Sequence, residues 1–102
     1  MSLRPPGLGR ATPDSALDLL EHEVAGEMAS ALGRAGRRVE ETLARLAAAE
    51  AGDPARPELL TDAADAVYWY FIQRELCGLR RHADVIREYS IPKAVLARLG
   101  AR

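Results

Sequence analysis

The chain is predicted to be all-α: a long antiparallel helical hairpin plus a short C-terminal helix, with two copies pairing into a four-helix bundle. Three observations carry this expectation. Apolar residues recur in steps of three or four at Leu17, Leu20, Val24, Met28, Ala31, Ala35, Val39, Leu43 and Leu46, which is the repeat of one helix face. The segment AGDPARP, residues 51–57, places a glycine and two prolines between this stripe and a second helical pattern, a composition that turns the chain. No stretch alternates apolar and polar residues in the manner of a half-buried strand.

Residues 1–12 carry two prolines, two glycines and two arginines without periodicity and read as an irregular arm. Residues 13–102 then form a single helical domain, with helices expected at about 13–51, 57–89 and 91–99. Thr12 suits the cap of the first helix, Pro13 its first turn, and Asp14 and Asp18 the positive end of its dipole. Gly26, Gly33 and Gly36 each cost up to about 1 kcal/mol relative to Ala. The stripe nevertheless keeps phase across all three, so the helix is expected to continue. The second helix opens near Pro57 with Glu58, Asp62 and Asp65, and is expected to run to Tyr89. Ser90 reads as a cap, Ile91 and Pro92 open the last helix, and Gly100 closes it.

Composition bounds the function. At 102 residues, with 48% apolar and 28% charged side chains, one core forms and association would add to it. The net charge of −1 supplies no whole-molecule attraction to nucleic acid or to an anionic membrane. Thirteen of the fourteen basic residues are Arg, a bias that a GC-rich genome also produces. The single Cys77 forms no intrachain disulfide. MSLRPPGLGRATP has no apolar segment of signal-peptide length, and no run approaches the roughly 20 residues of a membrane span. The expected location is the cytoplasm.

Four of the five aromatics are consecutive, at Tyr68, Trp69, Tyr70 and Phe71. They span more than one helical turn and so point all around the second helix. The apolar face through Leu60, Ala64, Val67, Tyr68, Phe71, Ile72, Leu76 and Leu79 is wider than one partner helix covers. A helix of 36 residues is about 54 Å long, and a hairpin of two such helices leaves one side of the aromatic helix in water. A second copy would cover it, so the expected partner is a homodimer with coiled-coil-type packing. The interface candidates are Tyr68, Trp69, Tyr70, Phe71, Gln73, Arg74 and Glu75. At least one of the last three approaches the buried face and needs a counter-group; an interhelical ion pair outweighs an acid–base role. The acidic run Asp14, Asp18, Glu21, Glu23 and Glu27, followed by Arg34, Arg37 and Arg38, favours antiparallel first helices.

No catalytic or cofactor-binding constellation is present. Cys77 and His82 are five apart and His22 lacks Glu-x-x-His spacing, so no metal site is expected. The sequence shows no phosphate loop, dinucleotide fingerprint or nucleophile elbow. The function expected is protein interaction or structure, with an unidentified protein partner as a further possibility. One alternative is a DNA-binding accessory protein: ADVIREYSIPKAVLARLG has the outline of a helix-turn-helix. Its second helix is short, and Ile86 stands where such units usually need a small residue. The other is a small-ligand-binding bundle. A basic surface of Arg80, Arg81, Arg87, Lys93 and Arg98 would favour the first. A pocket lined by Tyr68, Trp69 and Glu75 would favour the second.

YWYFIQRELCGLRRH followed by YSIPKAVLARLG resembles the C-terminal signature of a small bacterial all-helical family carried as a domain of unknown function. The resemblance spans roughly residues 14–100 and implies a helical fold and bacterial origin. It assigns no catalytic residue.

Overall fold

The computed structural model describes residues 13–101. The irregular arm expected at residues 1–12 and the Thr12 cap lie outside them. Four helices follow in order: α1 (Pro13–Ala48), α2 (Arg56–Leu76), α3 (Ala83–Glu88) and α4 (Lys93–Leu96). The described chain contains no strand.

Helix α1 runs 36 residues without a break through Gly26, Gly33 and Gly36. It stops at Ala48, where Ala49 N–H bonds back to the Leu46 carbonyl at 3.2 Å. The Arg56 guanidinium reaches the Leu46 and Ala49 carbonyls at 3.5 Å each, placing a cation at the negative end of α1. In the connecting turn, Asp53 Oδ1 accepts the Ala55 N–H at 2.9 Å, a local side-chain bond that reverses the chain. Helix α2 then returns antiparallel along α1.

The expected second helix is divided. It ends at Leu76 rather than Tyr89, because Gly78 adopts φ +90° and builds a Schellman cap. Leu79 N–H bonds to the Arg74 carbonyl at 2.8 Å and Gly78 N–H to that of Glu75 at 3.0 Å, which satisfies carbonyls the helix end would orphan. The same device ends α3. Ser90, at φ +52°, occupies the left-handed position, with Ile91 N–H on the Ile86 carbonyl at 3.0 Å and Ser90 N–H on that of Arg87 at 3.1 Å. Ser90 therefore closes α3 instead of opening the last helix. That helix starts after Pro92 and is one turn long, shorter than the expected 91–99.

The core joins Val39 and Leu46 of α1, Ala63, Ala66, Val67 and Tyr70 of α2, and Val85, Ile91 and Val95 beyond it. Alanines on α2 let it approach α1 closely, and Gly36 receives the Tyr70 and Tyr89 rings. The buried Thr42 hydroxyl donates within its own helix, to the carbonyls of Arg38 at 2.9 Å and Val39 at 3.1 Å, so it costs no unsatisfied polar atom. The C-terminal segment folds back on the hairpin: Tyr89 meets Gly36 of α1 and Tyr70 of α2, and α4 packs on α2 with Val95 fully buried. Part of the face expected to need another chain is covered by the protein's own C-terminus.

Length mismatch shapes the rest. Helix α2 has 21 residues against 36, or about 31 Å against about 54 Å at 1.5 Å per residue. With Tyr70 beside Gly36, the end of α2 falls near residue 30 of α1. Every residue from 16 to 27 is consequently exposed.

Candidate functional site

The end of α2 and the turn into α3 form a corner organised by Arg74. Its side chain is buried. Nε donates to His82 Nδ1 at 3.1 Å and a terminal nitrogen donates to the Arg81 carbonyl at 2.8 Å. Since Nδ1 accepts, the imidazole proton sits on Nε2, which donates to Glu75 Oε2 at 3.0 Å. The His82 ring stacks on Phe71 with centroids 4.1 Å apart and planes 3° from parallel. Asp84, largely exposed, lies 3.7 Å from the guanidinium and adds little to its stability. Both imidazole nitrogens are engaged, which leaves no free lone pair to take a substrate proton. Arg74, Glu75 and His82 hold the chain reversal.

The seven interface candidates diverge. Tyr70 is buried and meets Tyr89 edge-on at 5.7 Å, while Phe71 is spent on His82. Tyr68 lies under Gly100, where an added Cβ would come within 3.3 Å of its ring. Trp69 is 55% exposed, Gln73 half-buried and Glu75 turned to His82. Tyr68 and Trp69 meet edge-on at 5.9 Å, while the Glu75 carboxylate is taken by His82. The Tyr89 phenol is pushed up to about 12, chiefly by burial and then by the Tyr70 hydroxyl and the Glu40 and Glu88 carboxylates together.

Of the five basic residues considered as a nucleic-acid surface, Arg80, Arg81 and Arg87 share an open groove of about 440 Å³ with Arg74. Arg98 lines a separate one with Thr61 and Asp65. The unit likened to a helix-turn-helix has a six-residue α3 and a one-turn α4 whose Val95 packs inward, too short to enter a groove as a recognition helix. His22 stands on the exposed part of α1, away from Cys77 and His82. Among the described residues, no three or more of His, Cys, Asp and Glu cluster to hold a metal ion, and no helix is long and apolar enough to cross a membrane.

Besides Tyr68 and Trp69, which stay exposed, two further exposed apolar surfaces stand out; the sequence places the first on the core stripe of α1 and the second on the face awaiting a second copy. The first is the α1 arm, where Leu17 and Leu20 are each 55% exposed and Val24 49%. The second is the corner, where Leu76 is 63% and Leu79 44% exposed. The signal that separates them from the core is Gly78, which shortens α2 and leaves the front of α1 uncovered.

A helical hairpin with a C-terminal wrap defines a small all-helical domain. The chain belongs to DUF6665, a family of unknown function, whose pattern it matches over residues 1–102. No curated protein and no solved structure matches it.

Proposed function

We propose that the protein is a homodimeric interaction module without catalytic activity, assembling through the apolar surfaces its own fold leaves open. One observation carries this reading. The stripe Leu17, Leu20, Val24 continues the face of α1 that buries Val39 and Leu46 against α2, yet it stays exposed among the described residues. Solvated apolar residues repeated over about two turns of an exposed helix end are what a second helix covers. Sedimentation equilibrium at micromolar concentration should give twice the 11.1 kDa chain mass. The Leu17→Gln/Leu20→Gln/Val24→Gln variant should give the single mass, since burial of such side chains contributes about 1.5–3 kcal/mol each. A wild-type protein that stays monomeric across the concentration series overturns the proposal.

The groove shared by Arg74, Arg80, Arg81 and Arg87 supports a second reading, a nucleic-acid accessory role. Salt-sensitive binding to duplex DNA that is lost in Arg80→Ala/Arg87→Ala would favour it.

A further inference from the structure

We infer that the α1 arm of one chain docks on the α2–α3 corner of a second copy, reciprocally, with the two arms antiparallel. This rests on the dimer reading above and specifies its geometry.

The charge of the two surfaces is complementary. Along residues 16–28 the charged side chains are Asp18, Glu21, Glu23 and Glu27, with no Lys or Arg. Glu27 is paired with Arg34 of its own helix at 3.2 Å. Asp18, Glu21 and Glu23 make no ion pair among the described residues. Glu21 flanks the leucine stripe, with Asp18 on the same side at helical spacing. At the corner, Glu75 is held by His82, and Asp84 lies beside Arg74. Arg80, Arg81 and Arg87 have no carboxylate partner among the described residues. Leu79 therefore shares a groove with the cations Arg80, Arg81 and Arg87, with Leu76 exposed three residues before it on the end of α2, and an apolar stripe sits beside an acidic one.

Topology makes the match reciprocal. The register of the hairpin sets each corner beside the base of its own arm, near residue 30. When two arms pair antiparallel about a two-fold axis, the tip of one lies at the base of the other and against the other's corner. Leu17 and Leu20 then meet Leu76 and Leu79 of the second copy, while Asp18 and Glu21 meet Arg80 and Arg81. Parallel arms would put acidic tips against each other. Antiparallel arms without the corners would still oppose acidic residues along their length, so the arginines supply the counter-charge.

Charge exchange tests the contact. Sedimentation at about 50 mM salt, where screening is weak, would compare wild type, the arm variant Asp18→Lys/Glu21→Lys, the corner variant Arg80→Glu/Arg81→Glu, and an equimolar mixture of the two variants. Each variant alone should dimerise at least about tenfold more weakly than wild type, since like charges then face each other twice per dimer. The mixture should regain the dimer mass, because arm Lys faces corner Glu and native arm faces native corner. A monomeric wild type removes the dimer reading and this inference together. A dimeric wild type with an equally dimeric corner variant overturns the docking geometry alone and leaves the dimer standing. Far-UV circular dichroism reports whether the corner variant keeps its helix content. Where it does not, Leu79→Gln, whose side chain takes no part in the Arg74 side-chain hydrogen bonds, should weaken dimerisation in its place, and an unchanged dimer overturns the docking.

Discussion

Gly78 and Ser90 end their helices with the same hydrogen-bond pattern but at different conformational cost. Glycine is at ease at φ +90°, whereas Ser90 holds φ +52° against the clash of Cβ with the backbone, worth roughly 1–2 kcal/mol in this region. Gly78→Ala should lower unfolding stability by about 1–2 kcal/mol and Ser90→Gly should raise it by about 0.5–1 kcal/mol, both read from urea midpoints. Tyr89 gives a pH dependence of definite sign. Its folded-state value of about 12 lies above the ordinary value of 10, so the unfolded chain releases the proton first. The stability tied to the protonated phenol is fully present below pH 10 and is lost as pH rises from 10 to 12. Tyr89→Phe should flatten the stability profile in that window, and an unchanged alkaline slope would contradict the assignment.

Helix α1 contains glycines of opposite consequence. A Cβ at Gly33 meets nothing closer than 3.6 Å, whereas one at Gly36 would lie 3.2 Å from the Tyr89 hydroxyl and 3.5 Å from the Tyr70 ring. Gly33→Ala should therefore stabilise by up to about 1 kcal/mol through helix propensity alone. Gly36→Leu should destabilise by about 1–3 kcal/mol by overpacking, with thermal denaturation separating the two. The continuity of α1 was legible because a stripe in constant phase is written in neighbouring residues. The end of α2 was not. Leu76 and Leu79 extend the apolar pattern, and nothing local distinguishes a glycine tolerated within a helix, as Gly33 is, from one that takes positive φ and stops it, as Gly78 does. Arg74 makes that choice through His82 and the Arg81 carbonyl, groups seven and eight residues away.

The C-terminal wrap completes the core of the whole molecule. Ile91 and Val95 are buried, and Leu96 and Leu99 pack against the same core. Deleting residues 91–102 removes several side chains worth about 1.5–3 kcal/mol each, a large share of the 5–15 kcal/mol typical of a domain. The melting temperature should fall by at least about 10 °C; an unchanged value would mean that the wrap contributes little. The aromatic cluster was legible as a set pointing in all directions, and Tyr70, Phe71 and Tyr68 do so. Their partners Tyr89, His82 and Gly100 come from 11 to 32 residues further on, a separation that helical periodicity does not encode.

Residue order was enough to establish an all-helical chain, the hairpin turn at residues 51–57 and the unbroken first helix, because each depends on periodicity or turn chemistry within a few residues. Tertiary structure decided where burial stops. Leu20 and Val39 occupy one stripe and read alike in sequence, yet Val39 is fully buried and Leu20 half-bare. The difference is the length of α2, which ends near residue 30 of α1. Burial depends on what lies opposite a residue, and that is settled by where a distant segment ends and folds back.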